Sequence, residues 1–411
     1  MTRELDRMTN AYDIPLDKID VSQAALYQSD TVGGYFKRLR DEAPVHYCPQ
    51  SRFGPYWSIT RYADIMSVDT DNRVFSSDAE NGGIQMTDFP KGLERKNFIN
   101  MDPPEHDVHR KIISPIVRPS NLVNFESIIR DHATEILDNL PRGKTIDWVD
   151  HVSIELTTRM LATLFNFPFE DRRLLTFWSE VASSELVPGT EIDTEQKRVK
   201  ALQTCLDYFN DLYQKRADSE PQSDLVSMLA HSSLEMDQQE FLSTLILLII
   251  GGNDTTRNSI TGGLLALHDH PEQWAMLKRD PGLISTMVPE IIRWQTPLTM
   301  MRRTTTEQTE IAGVEIPAGE KIVMWYLSGN RDERMITDPD QFIINRESPR
   351  RHLSFGFGIH RCVGNRLAEM QLRVLWEEIL LRKLDIEIVG PAERTLSHVV
   401  RGFTRLPVRV N

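Results

Sequence analysis

From Asp237 to His270 the chain runs for about thirty residues without a proline, and the run Leu245-Ile246-Leu247-Leu248-Ile249-Ile250 lies near its middle. Asp237 with Glu240 three residues on has the spacing of a capping box, and Pro271 is a stop signal, so the spacing predicts one helix ~45 Å long. The apolar run falls far short of the ~20 residues that span a bilayer. It is also followed at once by Gly251-Gly252-Asn253-Asp254. A helix of this length with an apolar middle has to be buried, and other helices have to surround it. The feature therefore predicts a fold that is mainly α.

A smaller β part is expected at both ends. Pro44-Val45-His46-Tyr47-Cys48 and Tyr56-Trp57-Ser58-Ile59-Thr60 flank a polar turn from Pro49 to Pro55 and read as a hairpin. Helical spacing dominates from Pro103 to about Leu265, with loops at Pro141-Arg142-Gly143 and Ser219-Glu220-Pro221. Strands return at Glu310 to Gly319, and a last helix, Val363 to Arg382, precedes a short C-terminal strand region. No repeat or linker divides residues 1–411, so a single domain is expected.

Composition narrows the function classes. The 47 Lys and Arg against 60 Asp and Glu leave a net charge of −13, which disfavours a partner that is a polyanion, whether nucleic acid or an anionic membrane. With 40% hydrophobic and 26% charged residues the chain is globular rather than disordered. Its three cysteines, Cys48, Cys205 and Cys362, are too few and too scattered for a disulfide framework or a four-ligand metal site. Met1-Thr2-Arg3-Glu4-Leu5-Asp6-Arg7 carries charges where a signal peptide needs an apolar run. A reduced, cytoplasmic protein is expected.

Cys362 stands out by its surroundings. In Phe355-Gly356-Phe357-Gly358-Ile359-His360-Arg361-Cys362-Val363-Gly364, three glycines let the backbone approach something bulky, and a helix starts just after the sulfur. Helix N-terminal N–H groups favour a thiolate and can bond to a metal-bound sulfur. An inert buried cysteine and half of a dinucleotide-binding loop are the plainer readings, the second opposed by Arg361 at the third glycine's place. Upstream, Gly251-Gly252-Asn253-Asp254-Thr255-Thr256 puts small and polar residues inside the apolar helix, poor helix chemistry unless a ligand needs the room. An Asp254–Arg257 pair and a Thr255 hydroxyl bonded back onto the helix would account for it equally well. Glu290 and Arg293, three apart, read alone as a surface salt bridge.

The pattern Phe-Gly-x-Gly-x-His-x-Cys-x-Gly resembles the heme-binding loop of the cytochromes P-450. That resemblance implies the P-450 fold, a helix-rich triangular prism, with heme b held between the long helix and the cysteine loop and Cys362 as its axial thiolate to iron. It implies that Asp254 and Thr255 relay protons toward bound oxygen. His106 and Arg110, one turn apart, Arg303 and His360 fall at the family's propionate-binding positions, and Phe355, Gly356 and Gly364 belong to the heme-contacting loop. Glu290 and Arg293 match a buried structural pair whose usual third member, an arginine, is replaced here by Gln341; Arg346 is the candidate substitute.

Within the family, the runs from Gly251 to Ser259, Met324 to Glu333 and Arg351 to Gly358 are most similar to the soluble bacterial hydroxylases that oxidise terminal methyls of medium-chain alkanes and fatty acids. By analogy Leu247, Ile250, Gly251, Leu298, Met300 and Phe403 would line the substrate funnel, with core packing as their plainer role. Asp78 to Lys96 would be an entrance loop or an ordinary surface loop. No flavin, nucleotide or iron–sulfur motif is present, so electrons would come from a ferredoxin and its reductase, with NAD(P)H used only indirectly. Arg350, Arg351, Arg361, Arg366 and Arg373 would form the docking patch. The substrates would be O2 and an apolar small molecule. Rival readings are a terminal hydroxylase of sterol or terpenoid side chains, a peroxide-driven fatty-acid hydroxylase, a heme sensor without turnover, and a cysteine hydrolase with His360 as base.

Overall fold

The long helix forms where the capping residues place it. It spans Gln238–Asp269 in the computed structural model, which describes residues 10–88, 96–183, 185–186 and 189–411. The Asp237 carboxylate accepts the Glu240 N–H at 2.8 Å. The Glu240 side chain lies 3.3 Å from His109 Nε2, so the cap is made mainly by Asp237. Leu245, Ile249 and Ile260 on this helix have no solvent exposure, and each such side chain contributes about 1.5–3 kcal/mol on burial.

Helices Glu155–Phe165, Arg173–Ser183, Ile284–Gln295 and Asn365–Leu381 pack around it, and Pro119–Asp138 covers the last of these. One close approach depends on a missing side chain: a Cβ at Gly263 would lie 2.8 Å from Ile291 Cδ1. The fold is mainly α with a smaller β part, as the sequence predicts.

The β part is built from distant segments. Val45–Cys48 and Tyr56–Ile59 form the expected antiparallel hairpin. Tyr56–Ile59 then pairs in parallel with Lys321–Met324, in the register Trp57 with Ile322. Met301–Thr305 and Phe75–Ser76 complete the five-stranded sheet. Thr309–Ile311 and Val314–Ile316 form a tight hairpin through Ala312 and Gly313, both at positive φ. The helical middle contains one strand that its spacing does not predict. Thr145–Asp147 pairs with Pro407–Val410, which also pairs with Ile386–Ile388. Its partner is more than 250 residues away, so no local pattern announces it.

The readings on Met1 to Arg7 and on residues 89–95 of the expected entrance loop lie outside the described residues. Among those described, no helix is long and apolar enough to cross a membrane.

Candidate active site

The cysteine loop is pinned from beneath by an acid that the sequence analysis passed over. Asp69, 3% exposed, accepts the Phe357 N–H at 2.7 Å, the Tyr326 hydroxyl at 3.1 Å and the Arg303 guanidinium at 2.8 Å. Burial pushes its carboxyl up, against the pull of Arg303 and these hydrogen bonds. Gly358, at φ +63°, passes so close that a Cβ there would meet the Asp69 carbonyl at 2.3 Å. The chain then turns, and the Cys362 N–H donates to the Phe355 carbonyl at 2.8 Å.

Cys362 faces a cavity of about 1290 Å³ between this loop and the long helix. Burial pushes its thiol up, outweighing the Gly364 N–H and the charges of Arg110 and Arg361. Across the cavity stand Gly251, Asp254 and Thr255. Both local pairings that the sequence allows are made: Asp254 Oδ1 lies 3.0 Å from Arg257 Nη2, and the Thr255 hydroxyl donates to the Gly251 carbonyl at 3.1 Å. Both residues nevertheless line the cavity. Asp254, 1% exposed, also accepts the Ser183 hydroxyl at 3.1 Å, and Arg257 reaches Glu180 at 3.0 Å, a carboxylate half exposed at the surface. Gly251 has open space where its Cβ would stand, whereas a Cβ at Gly252 would meet Leu161 Cδ2 at 2.7 Å. The first glycine makes room in the cavity and the second serves helix packing.

Of the expected wall residues, Leu247, Ile250, Leu298 and Met300 line the cavity. Phe403 does not. It is buried in the helical core, its N–H donates to Asn258 Oδ1 at 2.9 Å, and Arg394 lies over its ring. The strand Phe403–Arg405 is held by Glu393–Arg394, and the C-terminal segment reaches the cavity three to six residues earlier, at Ser397 to Val400.

The four expected propionate ligands divide. Arg110 and His360 line the cavity with Phe355, Gly356 and Gly364. His106 stands edge to face with His360, their ring centres 4.6 Å apart. Arg303 is turned onto Asp69 and the Arg302 carbonyl and is not among the wall residues. Burial, with Arg303, His106 and Arg110 nearby, pushes His360 down to about 2. His106 Nε2 and His360 Nδ1 are buried without a hydrogen-bond partner. Two orphaned ring nitrogens and a guanidinium beside Cys362 are the donor set that the carboxylates of a large flat ring require.

Beneath the site, Glu290 and Arg293 are fully buried, not a surface pair. Arg293 holds Glu290 at 2.7 and 2.8 Å, and Arg346 Nε joins at 3.0 Å, taking the place of the arginine missing at 341. Gln341 offers its backbone carbonyl to both arginines at 3.0 Å. The basic patch is thinner than expected. Arg350 is paired with Glu369, Arg373 with Glu126 and Glu377, and Arg351 reaches the Met335 carbonyl, which leaves Arg361 and Arg366 exposed and outside any ion pair among the described residues.

The cytochrome P450 family matches residues 50–280 and 282–397. This chain belongs to that family. The P450 superposes on CYP153D17 from Sphingomonas sp. PAMC 26605 with a TM-score of 0.91 and 44% identity, covering 97% of this chain and 100% of that one. It is 34% identical to linalool 8-monooxygenase of Pseudomonas putida, over 96% of this chain and 99% of that protein. It is also 33% identical to a steroid C26-monooxygenase of Mycolicibacterium smegmatis, over 89% and 87% respectively. The family's cofactor is heme b with a cysteine thiolate on its iron, and electrons reach it from redox partners. The residues around Cys362 fit that group, and this P450 is a heme-dependent monooxygenase.

Proposed function

We propose that this P450 works as one domain over residues 1–411 and inserts one oxygen atom of O2 into a terminal C–H bond of medium-chain alkanes or fatty acids. Ferredoxin, reduced by an NAD(P)H-dependent reductase, supplies the electrons, in the cytoplasm. The observation that carries the reading is the apolar wall of Leu247, Ile250, Leu298 and Met300 in the cavity that Cys362 faces. Internal C–H bonds are weaker than those of a methyl, so attack at a chain end requires walls that present the end and hold the rest away. Apolar surface does this for a hydrocarbon chain at about 25 cal/mol per Å² buried.

Bound at Cys362, heme b supplies the iron at which O2 is activated. Arg110 and the free ring nitrogens of His106 and His360 would hold its propionates, and Arg303, which lies on Asp69, would be the further cation on that side. Phe355, Gly356 and Gly364 form the loop surface against the ring. Asp254 and the Thr255 hydroxyl relay protons into the cavity; Arg257 and Glu180 link the acid to the surface. Two arginines, Arg361 and Arg366, give an acidic ferredoxin a positive docking point on the cysteine side.

A second reading, terminal hydroxylation of terpenoid or sterol side chains, is favoured by the likeness to linalool 8-monooxygenase and steroid C26-monooxygenase. Absorption spectra of the ferric protein, titrated with octane, dodecanoic acid and linalool, separate the two. A saturable Soret shift with octane or dodecanoic acid is expected. A shift with linalool alone moves the substrate class to terpenoids, and a band that none of the three moves overturns the first reading.

A further inference from the structure

Where the cavity lining is partly exposed to solvent, three separate segments meet in one cluster. Arg52 comes from the turn of the N-terminal hairpin, Glu185 follows helix Arg173–Ser183, and His398 belongs to the C-terminal segment; all three line the cavity. Arg52 is half exposed and Glu185 a quarter exposed. Their contact is a two-pronged fork, with Nη1 3.0 Å from Oε2 and Nη2 closer still to Oε1. The guanidinium lies 4.5 Å from the centre of the Phe53 ring, and that ring packs at 4.7 Å on the imidazole of His398. A bidentate pair stacked on an aromatic face is held more firmly than an ordinary surface bridge.

The remaining charges of the wall are matched in the same way. Arg198 pairs with Glu195 at 3.0 Å, Asp88 with Arg302 and with Lys321 at 2.9 Å, and Asp254 with Arg257. Burial, with Arg52 beside it, pushes His398 down to about 4, so it is neutral at physiological pH. Arg110, the other cation of the wall, lies at the cysteine loop with its guanidinium on the Arg361 carbonyl. An uncharged chain meets a wall on which four acids, Asp88, Glu185, Glu195 and Asp254, stand against three cations, Arg52, Arg110 and Arg198. A carboxylate entering behind its alkyl chain gives up water and gains no free cation, which is costly for an ion.

We propose that Glu185 determines specificity in this P450: by clamping Arg52 at the opening it withholds the cation that a fatty-acid carboxylate would meet there, and so selects uncharged chains over acids. The proposal rests on the terminal-hydroxylase reading. It assigns Glu185 no part in the oxidation; the residue acts through Arg52.

The test is a set of Soret titrations at pH 8 and low salt with octane and with dodecanoate, on the heme-loaded wild type, Glu185→Gln, and Glu185→Gln combined with Arg52→Gln. The wild type is expected to bind octane more tightly than dodecanoate. In E185Q the dodecanoate Kd should fall about fivefold, the upper end for a partly exposed ion pair, while the octane Kd stays within about twofold. Adding R52Q should abolish the gain, and so should raised salt. Unchanged dodecanoate affinity in E185Q, with octane still bound, overturns the inference and leaves the functional reading standing. If neither ligand moves the band in any variant, the functional reading fails and the inference falls with it.

Discussion

Asp254 shows how a residue can satisfy its local partners and still face a reaction. Its bonds to Arg257 and Ser183 fix the carboxyl on the cavity wall, and the Thr255 hydroxyl is parked on the Gly251 carbonyl one turn back. Asp254→Asn keeps the shape and removes the group that can take up and pass on a proton, so kcat is expected to fall at least about 100-fold, with substrate-induced Soret shifts retained. Thr255→Ala is expected to keep NADH consumption while product per NADH drops and peroxide accumulates; unaltered product yield in both variants would refute the relay. These residues were legible in the sequence because their chemistry lies in runs of ten residues or fewer. Asp69 was not. It is one of two acids in the short helix Tyr62–Thr70, and it takes its meaning from Arg303, 234 residues away. Phe403 failed for the converse reason: its segment reaches the cavity, but three residues too early for this side chain to share in it.

Among the elements, helix Ile284–Gln295 carries a fully buried ion pair. Glu290 is fully buried, and its two arginines come from its own helix and from the loop after Phe342. Removing either side leaves a buried ion short of a partner, a loss of about 3–5 kcal/mol for Glu290→Ala and less for Arg346→Ala, where Arg293 remains. Urea midpoints with unchanged slope would measure it. Burial pushes the Glu290 carboxyl up, but hydrogen bonds from Arg293, Arg346 and the Ile343 N–H outweigh it and hold it below 4.5. A carboxyl lowered on folding stabilises the native state above its unfolded value and loses that contribution as pH falls through the folded one. The wild type should therefore lose stability below about pH 4.5, and more steeply than Arg346→Ala. Hydrophobic periodicity made the helices legible, since each carries its pattern within itself. The pairing of Thr145–Asp147 has no such signal, because a three-residue strand is defined by its partner.

Across the whole molecule, a net charge of −13 coexists with two exposed, unpaired arginines beside Cys362. An acidic ferredoxin would be repelled by most of the surface and drawn to that point, so reversing both charges in R361E/R366E should slow reduction by ferredoxin several-fold at low salt and little at high salt. Unchanged rates across salt would remove the patch from consideration. The five-stranded sheet has a consequence of another kind. Its second strand leans in parallel on a strand that begins 265 residues later, at Lys321 against Tyr56 and beyond, and the acid that pins the cysteine loop sits between them in sequence. During synthesis, at roughly 5–20 residues per second, the first hairpin leaves the ribosome with an open edge and waits about a quarter of a minute to a minute for that partner to be made. The nascent chain must shield that edge for all of that time, and the binding site is assembled only after Cys362 and the Ser397 to Val400 segment have been made.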